Sequence, residues 1–501
     1  MKFTTSSLEP SDGVLKTDLL VLGLYSEAGA AKISSRSGQK LDQQLGGLLS
    51  KLIQKEGLKG KRGEARLVDI HQGGAGRLLL VGLGEPDKFD GDSLRKTVAR
   101  AIRIGHRMRA KKMSIEDLPA GGKKEKAETR GQWVAEGVLL GSYTFDVYKS
   151  DKEVKDAKTV VEIEMLTAHE KDFEKGFQRG VIFAEATNLA RDMINVPASD
   201  MTPKRVADEA KKIGQLPHLS VKILDKKAIE KLGMGCYLAV AKGSAEPPYF
   251  IHLQYRPTSR PKKKIAIIGK GITFDSGGLS LKTAQGMETM KDDMSGAAAM
   301  LGVMKALSAL KPSVEVHGFS AVTENMPSGA ADKPGDIAYA MNGKTVEILN
   351  TDAEGRLTLA DALGYAQQQK PDLIVDVATL TGACVVALGE LCSGIMGNNQ
   401  KLIDQLIESG KDAGEKIWQL PLIEEYKQDI KSSIADIKNT GGRYGGTING
   451  GLFLQEFVDP KIPWAHIDIA GPSWTEKELD DCPRGGTGHI TRTLLNFILK
   501  Q

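Results

Sequence analysis

The chain has 501 residues, 41% of them hydrophobic, and this length favours two or three domains with sizeable apolar cores. The 68 Lys and Arg residues nearly balance the 64 Asp and Glu residues, and a net charge of +4 over this length does not require a nucleic acid partner. No apolar run approaches the roughly 18 residues of a membrane helix, and residues 1–20 lack the apolar core of a secretory signal. We therefore expect a soluble globular protein.

Cysteine usage favours a reducing compartment. The four cysteines show no CxxC spacing and lie in apolar or loop contexts, which indicates reduced thiols. They are Cys236, Cys384, Cys392 and Cys482. We therefore expect a cytoplasmic protein.

The first part of the chain has the alternation of a small α/β domain. Strand-like runs at 18–24 and 77–82 alternate with helical patterns such as 93–109. The Gly82-Leu83-Gly84 sequence lacks the third glycine of a dinucleotide motif, so it predicts a strand-to-loop turn. The segment 107–130 is rich in Lys, Glu and Gly and is predicted to be a solvated surface loop.

A helical pattern at 173–192 leads into a second, larger region of the same kind. Together the patterns predict an amino-terminal α/β domain (1–165), a connecting helix (166–190) and a larger α/β domain (191–501) with a mixed, mostly parallel sheet. Three apolar runs in the larger domain predict buried strands, at 263–269, 344–349 and 372–378. Each leads into a polar or glycine-rich loop, and the loops are 270–282, 350–356 and 379–383. Because ligands bind beyond the carboxyl ends of such strands, we expect the three loops to meet at one sheet edge.

Four acids in and beside these loops suit a site for two metal ions. They are Asp275, Asp293, Asp352 and Glu354. Hard and borderline divalent cations accept carboxylate oxygens, and two neighbouring cations need carboxylates that bridge them. Each motif alone is typical of an exposed turn, so the prediction depends on their joint placement.

The remaining polar residues of the loops suit hydrolysis. Two ions about 3.5–4 Å apart lower the pKa of a bridging water and polarise a carbonyl or phosphoryl oxygen. Lys270 is predicted to be either a metal ligand or a substrate contact, because a nearby cation favours loss of its proton. Lys282 is placed to stabilise an oxyanion, and Arg356 to hold an anion that accepts a proton. The eight histidines lie outside these motifs and no HExxH occurs, which argues against a helix-borne single-zinc site.

Residues 350–357 read Asn-Thr-Asp-Ala-Glu-Gly-Arg-Leu, and this octapeptide resembles the signature of the leucyl aminopeptidase family, also called cytosol aminopeptidases. The resemblance covers the chain after about residue 185. It includes the segments 269–278, 290–294, 324–329, 378–383 and 464–471. Weaker motifs at 80–84 and 136–149 resemble the family's amino-terminal domain.

The resemblance implies a two-metal peptidase with a defined ligand set. Two divalent ions per subunit, Mn²⁺ or Zn²⁺, are expected. Lys270, Asp275, Asp293 and Glu354 match the ligands of the tightly bound ion, and Asp275, Asp352 and Glu354 match those of the exchangeable ion. Lys282 matches the contact to the scissile carbonyl, and Arg356 matches the site of a bicarbonate that relays a proton.

The resemblance also implies how peptides bind. Thr379, Leu380 and Gly382 match positions around the first substrate residue, and Met290 matches the floor of its side-chain pocket. The expected substrates have a free amino terminus and an apolar first residue such as leucine. The family further implies a homohexamer. Ser199 and the Gly450-Gly451 pair depart from the usual pattern without touching a proposed ligand.

Two other functions stay open as alternatives. Paired cations with Lys282 and Arg356 would also suit a phosphoesterase, although no GxxxxGK[ST] phosphate cradle occurs. The runs 107–126 and 260–264 are basic and raise the possibility of DNA binding. Interleaved Glu residues and the absence of aromatic residues favour a solvated charged face for both runs.

Overall fold

The computed structural model describes residues 1–6, 16–70, 75–118, 125–151 and 159–501. The chain divides into two compact units. The amino-terminal unit comprises Met1–Ala184 and Glu478–Pro483, and the carboxyl-terminal unit comprises Glu185–Lys477 and Arg484–Gln501. None of the described helices combines the length and the apolar character that crossing a bilayer requires.

The amino-terminal unit is built on a sheet whose described part has seven strands. They are β1 (Lys2–Ser6), β2 (Thr17–Glu27), β3 (Ala30–Ile33), β4 (Ala65–Asp69), β5 (Ala75–Gly84), β6 (Lys112–Glu116) and β7 (Glu162–Leu166). The order β1-β7-β6-β2-β5-β4 is parallel except for β4, and β3 pairs antiparallel with β2. The helices are α1 (Arg36–Gln44), α2 (Leu48–Glu56), α3 (Gly91–Arg107), α4 (Ala127–Gly141) and the first part of α5 (Glu170–Asn195).

The side chains of β2 explain why helices cover both faces of this sheet. Leu19 and Val21 pack into one apolar cluster, and Leu20 and Leu22 pack into a second cluster. Successive strand residues point to opposite faces, so a continuous apolar run requires cover on both sides. This continuous apolar run thus forms a central strand of the unit.

The prediction that 107–130 forms a solvated loop is wrong on both sides of its middle, because β6 occupies Lys112–Glu116 and α4 begins at Ala127. Strand β6 lies inside the sheet, between β7 and β2, and its Met113 and Ile115 side chains are fully buried. These two apolar residues alternate with polar ones, and the surrounding lysines concealed this short period-2 pattern. Residues 119–124 of the predicted loop lie outside the described residues.

The carboxyl-terminal unit contains a nine-stranded sheet within residues 219–468, all of which are described. Its strands are β8 (Leu219–Leu224), β9 (Tyr249–Tyr255), β10 (Lys264–Gly269), β11 (Gly271–Asp275), β12 (Glu315–Asn325), β15 (Leu373–Ala378), β16 (Cys392–Gly397), β17 (Lys416–Gln419) and β19 (Trp464–Asp468). The order is β17-β16-β19-β15-β10-β12-β9-β8, and β11 pairs with β12.

Four central strands, β19, β15, β10 and β12, run parallel, so their carboxyl ends meet at one edge of the sheet. Strand β15 is buried along its whole length. Helices α10 (Ser295–Leu310) and α11 (Gly355–Gln367) pack against β10. The α/β fold class with a mixed, mostly parallel sheet is therefore confirmed.

The remaining elements of this unit complete the chain. The helices are α6 (Pro203–Ile213), α7 (Lys226–Lys231), α8 (Gly235–Ala241), α9 (Ala284–Met287), α12 (Gly382–Leu388), α13 (Gln400–Ala413), α14 (Gly446–Gln455) and α15 (Thr491–Leu499). The short strands are β13 (Asp336–Tyr339), β14 (Thr345–Ile348), β18 (Ile437–Lys438), β20 (Trp474–Thr475) and β21 (Gly485–Gly486).

The expectation that 344–349 belongs to the large sheet is wrong. Strand β14 forms a small sheet with β13 and β18. Only alternate residues of β14, Val346 and Ile348, are buried, which is typical of a sheet with one covered face. The segment 350–356 therefore comes from this small sheet, whereas 270–282 and 379–383 follow strands of the large one.

Candidate metal centre and active site

Three of the four predicted acids converge in the carboxyl-terminal unit. Asp275 ends β11, Asp293 lies in a 3₁₀ helix at Met290–Met294, and Glu354 directly precedes α11. One carboxylate oxygen from each of the three lies within 4.8 Å of the others, and the residues are only 2–4% exposed. Three buried acids so close together repel one another unless positive charge lies between them.

Two lysines supply positive charge to this cluster. The Lys270 ammonium lies 2.7 Å from Asp293 Oδ1 and 2.8 Å from Glu354 Oε1. The Lys282 ammonium lies 2.9 Å from Asp275 Oδ2 and 2.5 Å from Asp352 Oδ1. Asp352 is thereby joined to the cluster, although its side chain remains one-third exposed.

The acidic cluster still carries more negative than positive charge. The two ammonium groups face four carboxylates, which are those of Asp275, Asp293, Asp352 and Glu354. Within the described chain, Asp293 Oδ2 and Glu354 Oε2 are buried and have no hydrogen-bond partner. Buried carboxylates normally have all their oxygens paired or bound to a metal, so these residues fit divalent cations.

The pKa values of the cluster agree with a surplus of negative charge. Burial raises the pKa of Asp293 and of Glu354, and neighbouring acids add to this effect while Lys270 opposes it. Burial alone would lower the pKa of Lys270, but Asp293, Glu354 and Asp275 outweigh it and raise that pKa. Without cations, the site therefore holds its protons tightly.

Arg356 lies in the first turn of α11 and is buried. Its Nη1 donates a hydrogen bond to the Asn439 carbonyl at 2.8 Å, and its guanidinium lies 6.0 Å from the centre of the Phe453 ring. Its Nε–H has no partner among the described residues. Burial lowers the pKa of Arg356, although Glu354 and Asp468 oppose this shift. An unused, buried donor on a cation is suited to binding an anion.

The four predicted substrate residues differ in how closely they join the cluster. Thr379 is joined directly, because its hydroxyl donates to Asp293 Oδ1 at 2.7 Å and its carbonyl accepts from Lys270. Met290 begins the 3₁₀ helix that carries Asp293, and its side chain is half-buried. Leu380 donates its N–H to Asp468 rather than to a cluster acid. Gly382 begins α12, is exposed, and leaves open space where a Cβ would lie.

Two polar residues with no predicted role hold this site from the large sheet. Asn325 ends β12 and donates to Asp275 Oδ1 at 2.8 Å and to the Thr351 carbonyl at 2.9 Å. Asp468 ends β19 and accepts hydrogen bonds from Leu380 N–H and the Thr381 hydroxyl. Both are polar residues at the carboxyl end of a buried apolar strand, and this signal was available in the sequence.

Models of one protein family match both parts of the chain. The sequence profile of the cytosol aminopeptidase family, catalytic domain, matches residues 188–495, and the profile of the family's N-terminal domain matches residues 21–152. The chain belongs to the cytosol aminopeptidase family. The resemblance carried by the octapeptide is confirmed, and the protein is a peptidase, which is a hydrolase.

Similar curated proteins span nearly the whole chain. A "Probable cytosol aminopeptidase" of Persephonella marina is 46% identical over 465 residues, covering 92% of this chain and 93% of that protein. A protein of the same name from Aquifex aeolicus is 46% identical over 448 residues, covering 89% of each chain. The family assignment therefore applies to both units.

Solved structures with the same fold include two enzymes. A mutant of tomato leucine aminopeptidase superposes with a TM-score of 0.90 at 37% identity, covering 100% of this chain and 97% of that one. The bottromycin maturation enzyme BotP, solved in complex with Mn, gives a TM-score of 0.83 at 34% identity, covering 96% of this chain and 99% of that one. The two-unit architecture is thus shared with these enzymes.

Proposed function

We propose that this protein is a metal-dependent aminopeptidase that removes the first residue, preferably leucine or another apolar residue, from peptides with a free amino terminus. The observation that carries the metal dependence is the acidic cluster with its two unused carboxylate oxygens, on Asp293 and Glu354. The names of the tomato enzyme and of the manganese complex support leucine and a divalent metal, respectively.

The proposed ligands form two overlapping sets. Lys270, Asp275, Asp293 and Glu354 would hold one divalent ion, and Asp275, Asp352 and Glu354 would hold the other. Mn²⁺ and Zn²⁺ both suit these donors. When bound, the two ions supply an activated water and polarise the scissile carbonyl. The greater exposure of Asp352 supports easier exchange of the second ion.

Two positively charged residues are proposed to act directly in the reaction. Lys282 binds the scissile carbonyl oxygen and stabilises the negative charge that develops there. Arg356 would hold a bicarbonate, which would supply a base for proton transfer between the attacking water and the leaving amine. The unused Nε–H of Arg356 supports this anion site, because among the described residues it has no other partner.

Substrate selection is assigned to the residues beside the cluster. Met290 would form the floor of the side-chain pocket, and Thr379, Leu380 and Gly382 would line the space around the first substrate residue. The open space at Gly382 supports this role, since a side chain there would occupy it. A free substrate amine would bind one of the metal ions, which would restrict cleavage to the amino terminus.

The family relationship also supports a proposal about assembly and location. We propose a cytoplasmic homohexamer. Exposed apolar side chains in the carboxyl-terminal unit are suited to contacts between subunits. Val386, Tyr444 and Trp418 are 90%, 82% and 66% exposed, respectively. The native mass, measured by light scattering, should be close to six times the 53.9 kDa of one chain.

The test of this function is hydrolysis of a leucine anilide by purified protein after chelation and after return of Mn²⁺ or Zn²⁺. Activity should vanish on chelation, return with metal, and be absent for the N-acetylated anilide. Metal-independent cleavage, or equal cleavage of the acetylated compound, would contradict the proposal. Should the restored protein be inactive on peptides, phosphoesters would test the phosphoesterase alternative, and a salt titration of duplex binding would test the DNA alternative.

A further inference from the structure

Asn439 bonds to both ends of the segment that carries two proposed metal ligands. It follows β18 directly, lies 83–90 residues beyond this segment, and is fully buried. The segment, which we call the ligand segment, comprises residues 349–356 between the end of β14 and the first turn of α11. It includes Asp352, Glu354 and Arg356.

The Asn439 side chain uses both of its polar atoms on the backbone of the ligand segment. Its Oδ1 accepts from the Leu349 N–H at 2.9 Å and from the Asn350 N–H at 3.3 Å. Its Nδ2 donates to the Asn350 carbonyl at 2.7 Å and to the Ala353 carbonyl at 3.4 Å. One buried amide thus pairs with four backbone groups of a stretch that has no strand partner among the described elements.

The Asn439 backbone extends this contact to the far end of the segment. Its carbonyl accepts from Arg356 Nη1 at 2.8 Å, and its own N–H donates to the Glu347 carbonyl at 3.0 Å, which anchors it to β14. The middle of the ligand segment is held separately, because Thr351 bonds to Asn325 and Ser280. Two independent asparagines therefore fix the segment from different sides.

We propose that Asn439 is a positioning residue that holds the ligand segment in its metal-binding geometry before any cation is bound. This inference rests on the proposed metal-dependent function. Among the residues that the structure describes, the bonds of Asn439 reach only backbone groups and Arg356, and none of them involves a carboxylate that a cation would occupy. The segment is therefore ordered by the protein itself, which lowers the conformational cost of binding the metal.

Hydrogen exchange in the chelator-stripped wild-type protein tests this order directly. The Leu349 and Asn350 amides should exchange slowly, and saturating Mn²⁺ should slow them by less than about threefold. Fast exchange without metal that Mn²⁺ then suppresses would show that the cation orders the segment, and this would overturn the proposal. The measurement needs no variant, so it decides the question even where substitutions impair folding.

Asn439→Ala and Asn449→Ala form a matched pair for the second test. Asn449 is equally buried and donates to the Gly441 and Tyr444 carbonyls, but it makes no hydrogen bond to the ligand segment. For Asn439→Ala we expect Mn²⁺ to bind about 10–100-fold more weakly by calorimetry, which is typical of losing a residue that orients metal ligands. At saturating Mn²⁺, kcat should fall while KM for the anilide changes less than about threefold. Asn449→Ala should keep the wild-type affinity for Mn²⁺.

The outcomes separate this inference from the function on which it rests. A wild-type protein that binds no divalent metal would refute the proposed function, and the inference with it. If wild-type protein binds Mn²⁺ and Asn439→Ala binds it equally well, only the inference is refuted. A purely structural role predicts that Mn²⁺ binding weakens only in step with the loss of thermal stability. Equal loss of thermal stability in both variants, with weaker Mn²⁺ binding in Asn439→Ala alone, therefore supports the inference.

Discussion

Replacing Asp293 by Asn should stabilise the metal-free protein and at the same time abolish its stabilisation by Mn²⁺. Asp293 Oδ1 accepts hydrogen bonds from Lys270 and Thr379, both at 2.7 Å, whereas Oδ2 has no partner in the described part of the chain. In Asp293→Asn the retained oxygen keeps both bonds, and the new amide takes the place of the unused oxygen. The substitution therefore removes one buried negative charge and no hydrogen bond.

The substitution is expected to change the free energy of unfolding in opposite directions without and with Mn²⁺, by similar amounts. Removing an unneutralised charge from the metal-free site should raise the free energy of unfolding by about 0.5–2 kcal/mol. Wild-type protein with Mn²⁺ at about 100 times its dissociation constant should gain about 2.7 kcal/mol, because the cation binds only the folded state. Asp293→Asn should lose most of this gain, since a neutral amide is a weaker ligand for a divalent cation.

Asp361→Asn is the matched control, because Asp361 is a buried acid outside the cluster. Its Oδ1 accepts from the Met341 N–H at 2.7 Å and its Oδ2 from the Tyr237 N–H at 2.8 Å, so both oxygens are used. Here an amide places an N–H against a backbone N–H, and we expect a loss of about 1–3 kcal/mol. Its response to Mn²⁺ should match that of the wild type.

Thermal unfolding followed by fluorescence, with and without Mn²⁺, measures both quantities on chelator-treated protein. The expected pattern for Asp293→Asn is a higher midpoint without metal and little further rise with it. A lower midpoint without metal would show that the Asp293 charge is fully neutralised in the empty site. If Mn²⁺ raises the midpoint of Asp293→Asn as much as it raises that of the wild type, Asp293 is not a ligand.

Two further predictions concern catalysis and pH. Lys282→Met should lower kcat for the leucine anilide by about 10²–10³-fold with little change in KM, because the lost ammonium acts on the developing oxyanion; a change confined to KM would assign Lys282 to substrate binding alone. Burial, and then the neighbouring His317, lower the pKa of His252 from 6.5 to about 4. The folded state therefore binds this proton less tightly than the unfolded state. Above pH 6.5 His252 is neutral in both states. As the pH falls from 6.5 towards 4, the unfolded state takes up the proton first, so the free energy of unfolding decreases. Between pH 7 and pH 5 this loss should be about 1–2 kcal/mol in urea unfolding, and His252→Gln should remove it; an equal acid sensitivity in the variant would place the responsible group elsewhere.

Local sequence patterns predicted those strands whose pattern is complete within one short segment. The buried strands β10 and β15 were predicted within one residue of their ends, because an unbroken apolar run with turn signals on both sides indicates a parallel strand. Strand β6 was missed because its two apolar residues lie among lysines and glutamates. Strand β14 was identified, but its sheet was not, since a four-residue run does not specify its partner.

The sequence alone determined the family, the α/β class and the residues that carry the proposed chemistry. The octapeptide at 350–357 and the polar loops after the strands are local signals, and each is legible without a fold. Only the tertiary structure decided how these residues are held. Asn325 and Asn439 bond to groups 26–90 residues away, and their partners depend on the path of the whole backbone. The two carboxylate oxygens without a hydrogen-bond partner, on Asp293 and Glu354, are likewise a property of the folded chain. Burial excludes water from them, and the two lysines contact other oxygens of the cluster.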